Sequence, residues 1–81
     1  MTNKQLYKRL TFIQNKFIDS KTDYNVVLSY HASISSYFSV YIYNDMDNTI
    51  IYRNVFISND PKLNEDLKQL KEVTDELLNK E

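Results

Sequence analysis

The chain has 81 residues, with ten Lys and Arg, eleven Asp and Glu and one His, and its formal net charge at pH 7 is −1. This near-neutral balance excludes the strongly basic surface of a general nucleic-acid-binding protein. The absence of Gly and Cys and the presence of only one His exclude glycine-rich phosphate loops, disulfide frameworks and the usual catalytic metal sites. We therefore predict one small domain over residues 1–81, without metal, cofactor or enzymatic activity.

The first predicted element is a helix over residues 3–19. Thr2 and Gln5 have the spacing of a capping box, in which each side chain bonds the other residue's backbone N–H. Apolar side chains then recur at helical spacing, at Leu6, Leu10, Ile13 and Phe17. The polar stretch at residues 20–23 is expected to end the helix.

Three strands follow, predicted at residues 24–31, 37–43 and 49–57. Apolar and polar side chains alternate with a period of two in the first, and the second is rich in aromatic and β-branched residues. Residues 44–48 form the second turn, because Asn and Asp tolerate a left-handed backbone better than other non-Gly residues. Connections this short favour an antiparallel meander.

The last predicted element is a helix with Asp60 as its N-cap and Pro61 at its first position, fraying over residues 79–81. Its apolar stripe is Leu63, Leu67, Leu70, Thr74 and Leu77. The stripe has the spacing of a short coiled-coil seam, but packing on the chain's own sheet explains it more simply. The predicted fold is therefore α+β in the order α-β-β-β-α, a three-stranded antiparallel meander with two helices packed on one face.

The sheet face that the helices leave uncovered is the first candidate site. If Tyr43 pairs with Ile50, one face carries Phe38, Val40, Ile42, Ile51 and Val55 and suits the helices. The other face then carries Tyr37, Tyr41, Tyr43, Tyr52 and Phe56. Contiguous exposed apolar patches commonly mark interaction sites, so we predict that these five aromatic residues bind a protein. Alternatively, the tyrosines only stabilise the sheet through cross-strand pairs.

Arg53 fits this register poorly, because it falls on the core face opposite Val40. Two explanations are open: the side chain reaches past the sheet edge, or the third strand contains a β-bulge. A register shift of one residue would exchange the two faces.

The second candidate site lies on the helix predicted at residues 3–19. Residues 1–21 carry a net charge of +4, against −2 for residues 22–59 and −3 for residues 60–81. On a helical wheel Phe12 lies opposite the apolar stripe, among Lys8, Arg9 and Lys16. Phe12 is therefore a candidate anchor in a protein partner or, with the three cations, a stacking platform for single-stranded nucleic acid. The simpler alternative is a solvated helix face with one exposed Phe.

Origin and compartment are inferred from composition. Asn, Lys, Ile and Tyr make up 31 residues, whereas Gly, Ala, Pro and Arg make up four. The first group has A+T-rich codons, which indicates a low-G+C bacterium, or a phage or mobile element within one. Apolar runs are too short to span a bilayer and the N-terminus has no apolar signal region, so we expect a cytoplasmic protein of a bacterial or phage-infected cell, without membrane contact.

The predicted element order resembles that of double-stranded-RNA-binding domains. In those domains the last helix begins with a basic stretch that grips phosphates, whereas here residues 60–66 read Asp-Pro-Lys-Leu-Asn-Glu-Asp, so that function is rejected. Size, element order and A+T-biased composition also resemble certain small phage-encoded inhibitors, including some anti-CRISPR proteins.

The favoured hypothesis is a small non-enzymatic protein that binds and modulates a host macromolecular machine, or that forms a homodimer. The alternative is a weak single-stranded nucleic-acid-binding module that uses the first helix. No small-molecule substrate is predicted. His31, which lies near several serines, is interpreted as a surface histidine or as a strand histidine with its hydrogen bonds satisfied, because no orienting carboxylate accompanies it.

Overall fold

The element order matches the prediction. The computed structural model describes residues 1–79 and contains α1 (Asn3–Ser20), β1 (Tyr24–His31), β2 (Tyr37–Asn44), β3 (Ile50–Phe56) and α2 (Leu63–Asn79). The strands form one antiparallel sheet in the order β1-β2-β3. The predicted fraying of the last helix falls partly on residues 80–81, outside the described residues.

The start of α1 is encoded locally and its end is not. The Gln5 N–H donates to Thr2 Oγ1 at 3.1 Å and the Thr2 N–H donates to Gln5 Oε1 at 2.9 Å, so the predicted capping box is present. At the other end Lys21 takes a left-handed backbone with φ of 52°. This is the conformation for which helix ends favour Gly, which the chain lacks.

The predicted start of the second helix is wrong by two residues. Asp60 Oδ1 accepts a bond from the Lys62 N–H at 2.9 Å, and the Asp60 carbonyl accepts one from the Leu63 N–H at 3.0 Å. These bonds close a tight turn over Pro61 and Lys62, and α2 begins only at Leu63. Asp60 therefore caps the turn that leads into the helix.

Both helices pack on one face of the sheet. The residues of the two predicted stripes are all buried: Leu6, Leu10, Ile13 and Phe17 on α1, and Leu63, Leu67, Leu70, Thr74 and Leu77 on α2. The apolar members of both stripes meet Phe38, Val40, Ile42 and Phe56 of the sheet in one hydrophobic cluster. The side chain of Gln14 also donates to the Val26 carbonyl at 3.0 Å, which ties α1 to the edge strand β1.

The register between β2 and β3 differs from the prediction. Tyr43 pairs with Ile50 as expected, but Ile42 pairs with Tyr52, so Ile51 is an extra residue at a β-bulge. An insertion of one residue reverses the face of every later residue in the strand. Tyr52 and Phe56 therefore point to the helices.

The bulge moves Arg53 from the face expected to pack on the helices to the opposite face of the sheet. Arg53 pairs with Tyr41 rather than Val40 and is exposed. Of the two explanations open at the sequence level, the bulge is the one that the structure contains.

Candidate interaction surfaces

The first candidate surface is the sheet face opposite the helices, called here the open face. Register places these residues on it: Asn25, Val27, Ser29 and His31 from β1; Tyr37, Ser39, Tyr41 and Tyr43 from β2; and Ile50, Arg53 and Val55 from β3. Ile50 and Val55 are 54% and 44% exposed. The three predicted tyrosines of β2 are on this face as expected, each partly buried by its neighbours.

Small side chains lie between two rows of larger ones on the open face. One row is Val27, Tyr41 and Arg53, and the other contains His31 and Tyr37. In the row between them, Ser29 pairs with Ser39, and Ser39 pairs with Val55.

The aromatic rings of the open face are held by neighbouring contacts. The rings of His31 and Tyr37 stack with centroids 4.4 Å apart, and those of Tyr41 and Tyr43 lie 6.4 Å apart. His31 Nε2 is also 3.3 Å from Ser39 Oγ. The hydrogen-bonded neighbour of His31 is thus a serine across the strand pair, not one of the connecting loop.

The charge of the open face is weakly positive. The three strands contain Arg53 and His31 but no Asp or Glu. A partner that covers this face must therefore supply its own acceptor for the Arg53 guanidinium.

Two predicted members of the protein-binding set are not on the open face, and their predicted placement is wrong. Phe56 is completely buried in the core, and Tyr52 is partly buried against it. The Tyr52 hydroxyl is buried without a hydrogen-bond partner among the described residues. Burial raises the pKa of the Tyr52 phenol above its ordinary value of 10.0. The Asn54 side chain lowers this pKa in part, although it forms no hydrogen bond with the hydroxyl, and the Asp66 carboxylate raises it further.

The second candidate surface is a groove between the helices, called here the interhelical groove. It has a volume of about 520 Å³. Lys8, Arg9, Phe12, Ile13 and Lys16 of α1 line it together with Leu67 and Lys71 of α2. All four residues predicted for the first helix thus meet in one place, and Phe12 is 63% exposed there.

The interhelical groove combines an apolar floor with a cationic rim. Its lining, taken from the described residues, contains four cations and no carboxylate. Lys16 Nζ lies 5.1 Å from the centre of the Phe12 ring, within cation–π distance. A smaller hollow lined by Met1, Gln5, Lys8 and Arg9 shares two of the cations and lengthens the surface toward the start of α1.

Sequence analysis missed the contribution of α2 to this groove. Leu67 and Lys71 are one helical turn apart and therefore share a face of α2. Which cations of α2 approach α1 depends on how the two helices pack, so periodicity alone could not single out Lys71.

Residues 1–79 contain neither a metal-ligand cluster nor a membrane-spanning helix. No three His, Cys, Asp or Glu side chains lie close enough together to hold a metal ion in this range. No helix within it has the length and apolar composition needed to cross a membrane.

Comparisons of the chain with protein-family models, with curated proteins and with solved structures find no match.

Proposed function

We propose that this chain is a small non-enzymatic protein of a phage or mobile element, and that its open face binds a host protein and so modulates a host macromolecular machine. The observation that carries the proposal is the uncovered sheet face. Both helices of the described chain pack on the other side, and the open face keeps Tyr41, Ile50 and Val55 in contact with solvent. The A+T-biased composition supports the proposed origin.

A partner that covered the open face would gain binding free energy from the apolar surface removed from water. Apolar side chains gain about 25 cal/mol for each Å² that they remove from water, and Tyr is among the residues most enriched in energetic centres of interfaces. The cross-strand stacking of His31 on Tyr37 restricts both rings before binding. Pre-ordered rings lose less conformational entropy on association.

Charge favours a foreign partner over a second copy. Arg53 lies beside Tyr41 on the open face, and the strands carry no carboxylate to pair with it. A symmetric contact between two open faces would bring cations together without compensation. The proposed partner therefore presents apolar side chains together with an Asp or Glu that pairs with Arg53.

The test uses affinity capture from a low-G+C bacterial lysate, followed by calorimetric titration of the purified captured protein. The variants are Tyr41→Ser and Arg53→Glu on the open face. Asn15→Ser is the control, because Asn15 is exposed on α1, the helix that packs against the opposite side of the sheet. We expect each open-face variant to weaken binding at least about tenfold, while the control binds like wild type.

Equal binding by wild type and both open-face variants would refute the proposal, whatever protein is captured. Sedimentation of the purified chain over a concentration series provides the second readout. A dimer that Tyr41→Ser dissociates would replace the host partner with a second copy of this chain.

A further inference from the structure

The interhelical groove has features that the open face does not explain. It is on the helical side of the molecule, it joins residues of α1 and α2, and it concentrates positive charge in a chain whose net charge is −1. We infer that the groove binds an acidic peptide segment that carries a bulky apolar anchor. This is a second recognition site, independent of the sheet.

The floor of the groove selects the anchor. Phe12, Ile13 and Leu67 present carbon surface to the groove. Phe12 in particular is largely exposed, although an aromatic ring is among the side chains that gain most from burial. A Leu or Phe side chain of a partner covers this floor, as in the helix-in-groove mode of peptide recognition.

The cationic rim of the groove selects a partner with negative charge. Lys8, Arg9 and Lys16 approach the groove from α1, and Lys71 approaches from α2. Carboxylates on both sides of the anchor therefore meet cations from both helices. Such complementarity raises the association rate and rejects basic partners.

The same chemistry discriminates against a nucleic-acid strand. The Lys16 ammonium lies over one face of the Phe12 ring, which leaves only the other ring face for a stacked base. Beyond the groove, α2 carries five carboxylates, at Glu65, Asp66, Glu72, Asp75 and Glu76. An extended polyanion that tracked along α2 would meet these carboxylates, while a short peptide confined to the groove does not.

The experiment titrates the full chain with three synthetic fluorescent peptides and with single-stranded oligothymidylate. The first peptide is an amphipathic helix with glutamates on either side of a Leu-x-x-Phe pair. The second replaces Leu and Phe by Ser, and the third replaces each Glu by Gln. We expect the first peptide to bind at least about tenfold more tightly than either of the other two, because the groove recognises both the anchor and the charge.

Two variants test the location of the site. Phe12→Ser removes the exposed floor, and Lys71→Glu reverses the one charge that comes from α2. Lys68→Glu is the matched control, because Lys68 is an exposed lysine of the same helix that does not line the groove. Both groove variants should weaken binding of the first peptide about tenfold, and the control should leave it within about twofold.

Three results overturn the inference. Tighter binding of oligothymidylate than of the first peptide would assign the groove to single-stranded nucleic acid. A steep fall of the oligothymidylate affinity with rising salt concentration would support the same assignment. Equal binding of all three peptides, or of none, would show that the groove does not recognise an acidic anchor. Equal losses from Lys71→Glu and Lys68→Glu would place binding on general charge rather than in the groove. Thermal unfolding of each variant confirms that the fold is retained.

Discussion

Replacing Tyr52 by Phe should stabilise the protein, although the substitution removes a polar group. The Tyr52 hydroxyl is buried and has no hydrogen-bond partner within residues 1–79. Tyr52 faces the helices because the bulge at Ile51 turns it inward. Phe keeps the ring and its packing and removes only the oxygen that folding takes out of water.

The expected gain follows from the cost of an unpaired buried group. That cost is about 1–3 kcal/mol, and the lower end applies here because the Tyr52 ring is only partly buried. We therefore expect Tyr52→Phe to raise the free energy of unfolding by about 1 kcal/mol. In a domain of this size the change raises Tm by about 4–8 °C.

The gain should increase at alkaline pH. Burial raises the pKa of the folded Tyr52 phenol above 10.0; the Asn54 side chain opposes this shift and the Asp66 carboxylate adds to it. The unfolded chain then releases this proton first, so wild-type stability is retained below pH 10 and declines as the pH rises through the folded pKa. Tyr52→Phe lacks this part of the decline.

Urea unfolding followed by circular dichroism, at neutral pH and above pH 10, measures both effects. Tyr41→Phe is the control, because Tyr41 lies on the open face; it should leave the stability nearly unchanged at neutral pH. A loss of stability in Tyr52→Phe would mean that the hydroxyl has a partner in solution. A difference from wild type that stays constant across the pH range would refute the titration argument.

Two further predictions concern the backbone and the register. Lys21→Gly should raise the free energy of unfolding by up to about 1 kcal/mol, because Gly removes the steric cost of the left-handed backbone at the end of α1; Lys21→Ala, which keeps a Cβ, should show no such gain in thermal unfolding. Phe56→Ala should cost about 3–5 kcal/mol, since the ring is fully buried. Its exposed neighbour Val55, changed to Ala, should cost less than about 1 kcal/mol. If urea unfolding showed that Val55→Ala costs more stability than Phe56→Ala, the third strand would have the register without the bulge.

The two candidate surfaces differ in how far local pattern could predict them. Exposure of Phe12 among Lys8, Arg9 and Lys16 follows from the geometry of one helix, and the structure places all four residues at one groove. The open face depends on pairing between strands, where a single inserted residue exchanges the faces. Tyr37, Tyr41 and Tyr43 are therefore where the sequence predicts them, while Tyr52 and Phe56 are not.

Local sequence determined the elements of this protein. Each element depends on residues that are near neighbours in the chain. Examples are the capping box at Thr2 and Gln5, the two apolar stripes, and the Asn- and Asp-rich turn in which Asn48 has a φ of 59°. Helical periodicity leaves little choice about which face of a helix is buried.

Tertiary structure alone decided the register of β3 and the composition of the groove. Both alternating sets of β3 are largely apolar, with Ile50, Tyr52 and Phe56 in one and Ile51 and Val55 in the other. Period-two patterning could not choose between them. Packing could, because the helices bury Phe56 completely and the bulge at Ile51 absorbs the mismatch with the turn. The approach of Leu67 and Lys71 to α1 is likewise a property of two helices sharing one sheet face, since neither residue is close to α1 in the chain.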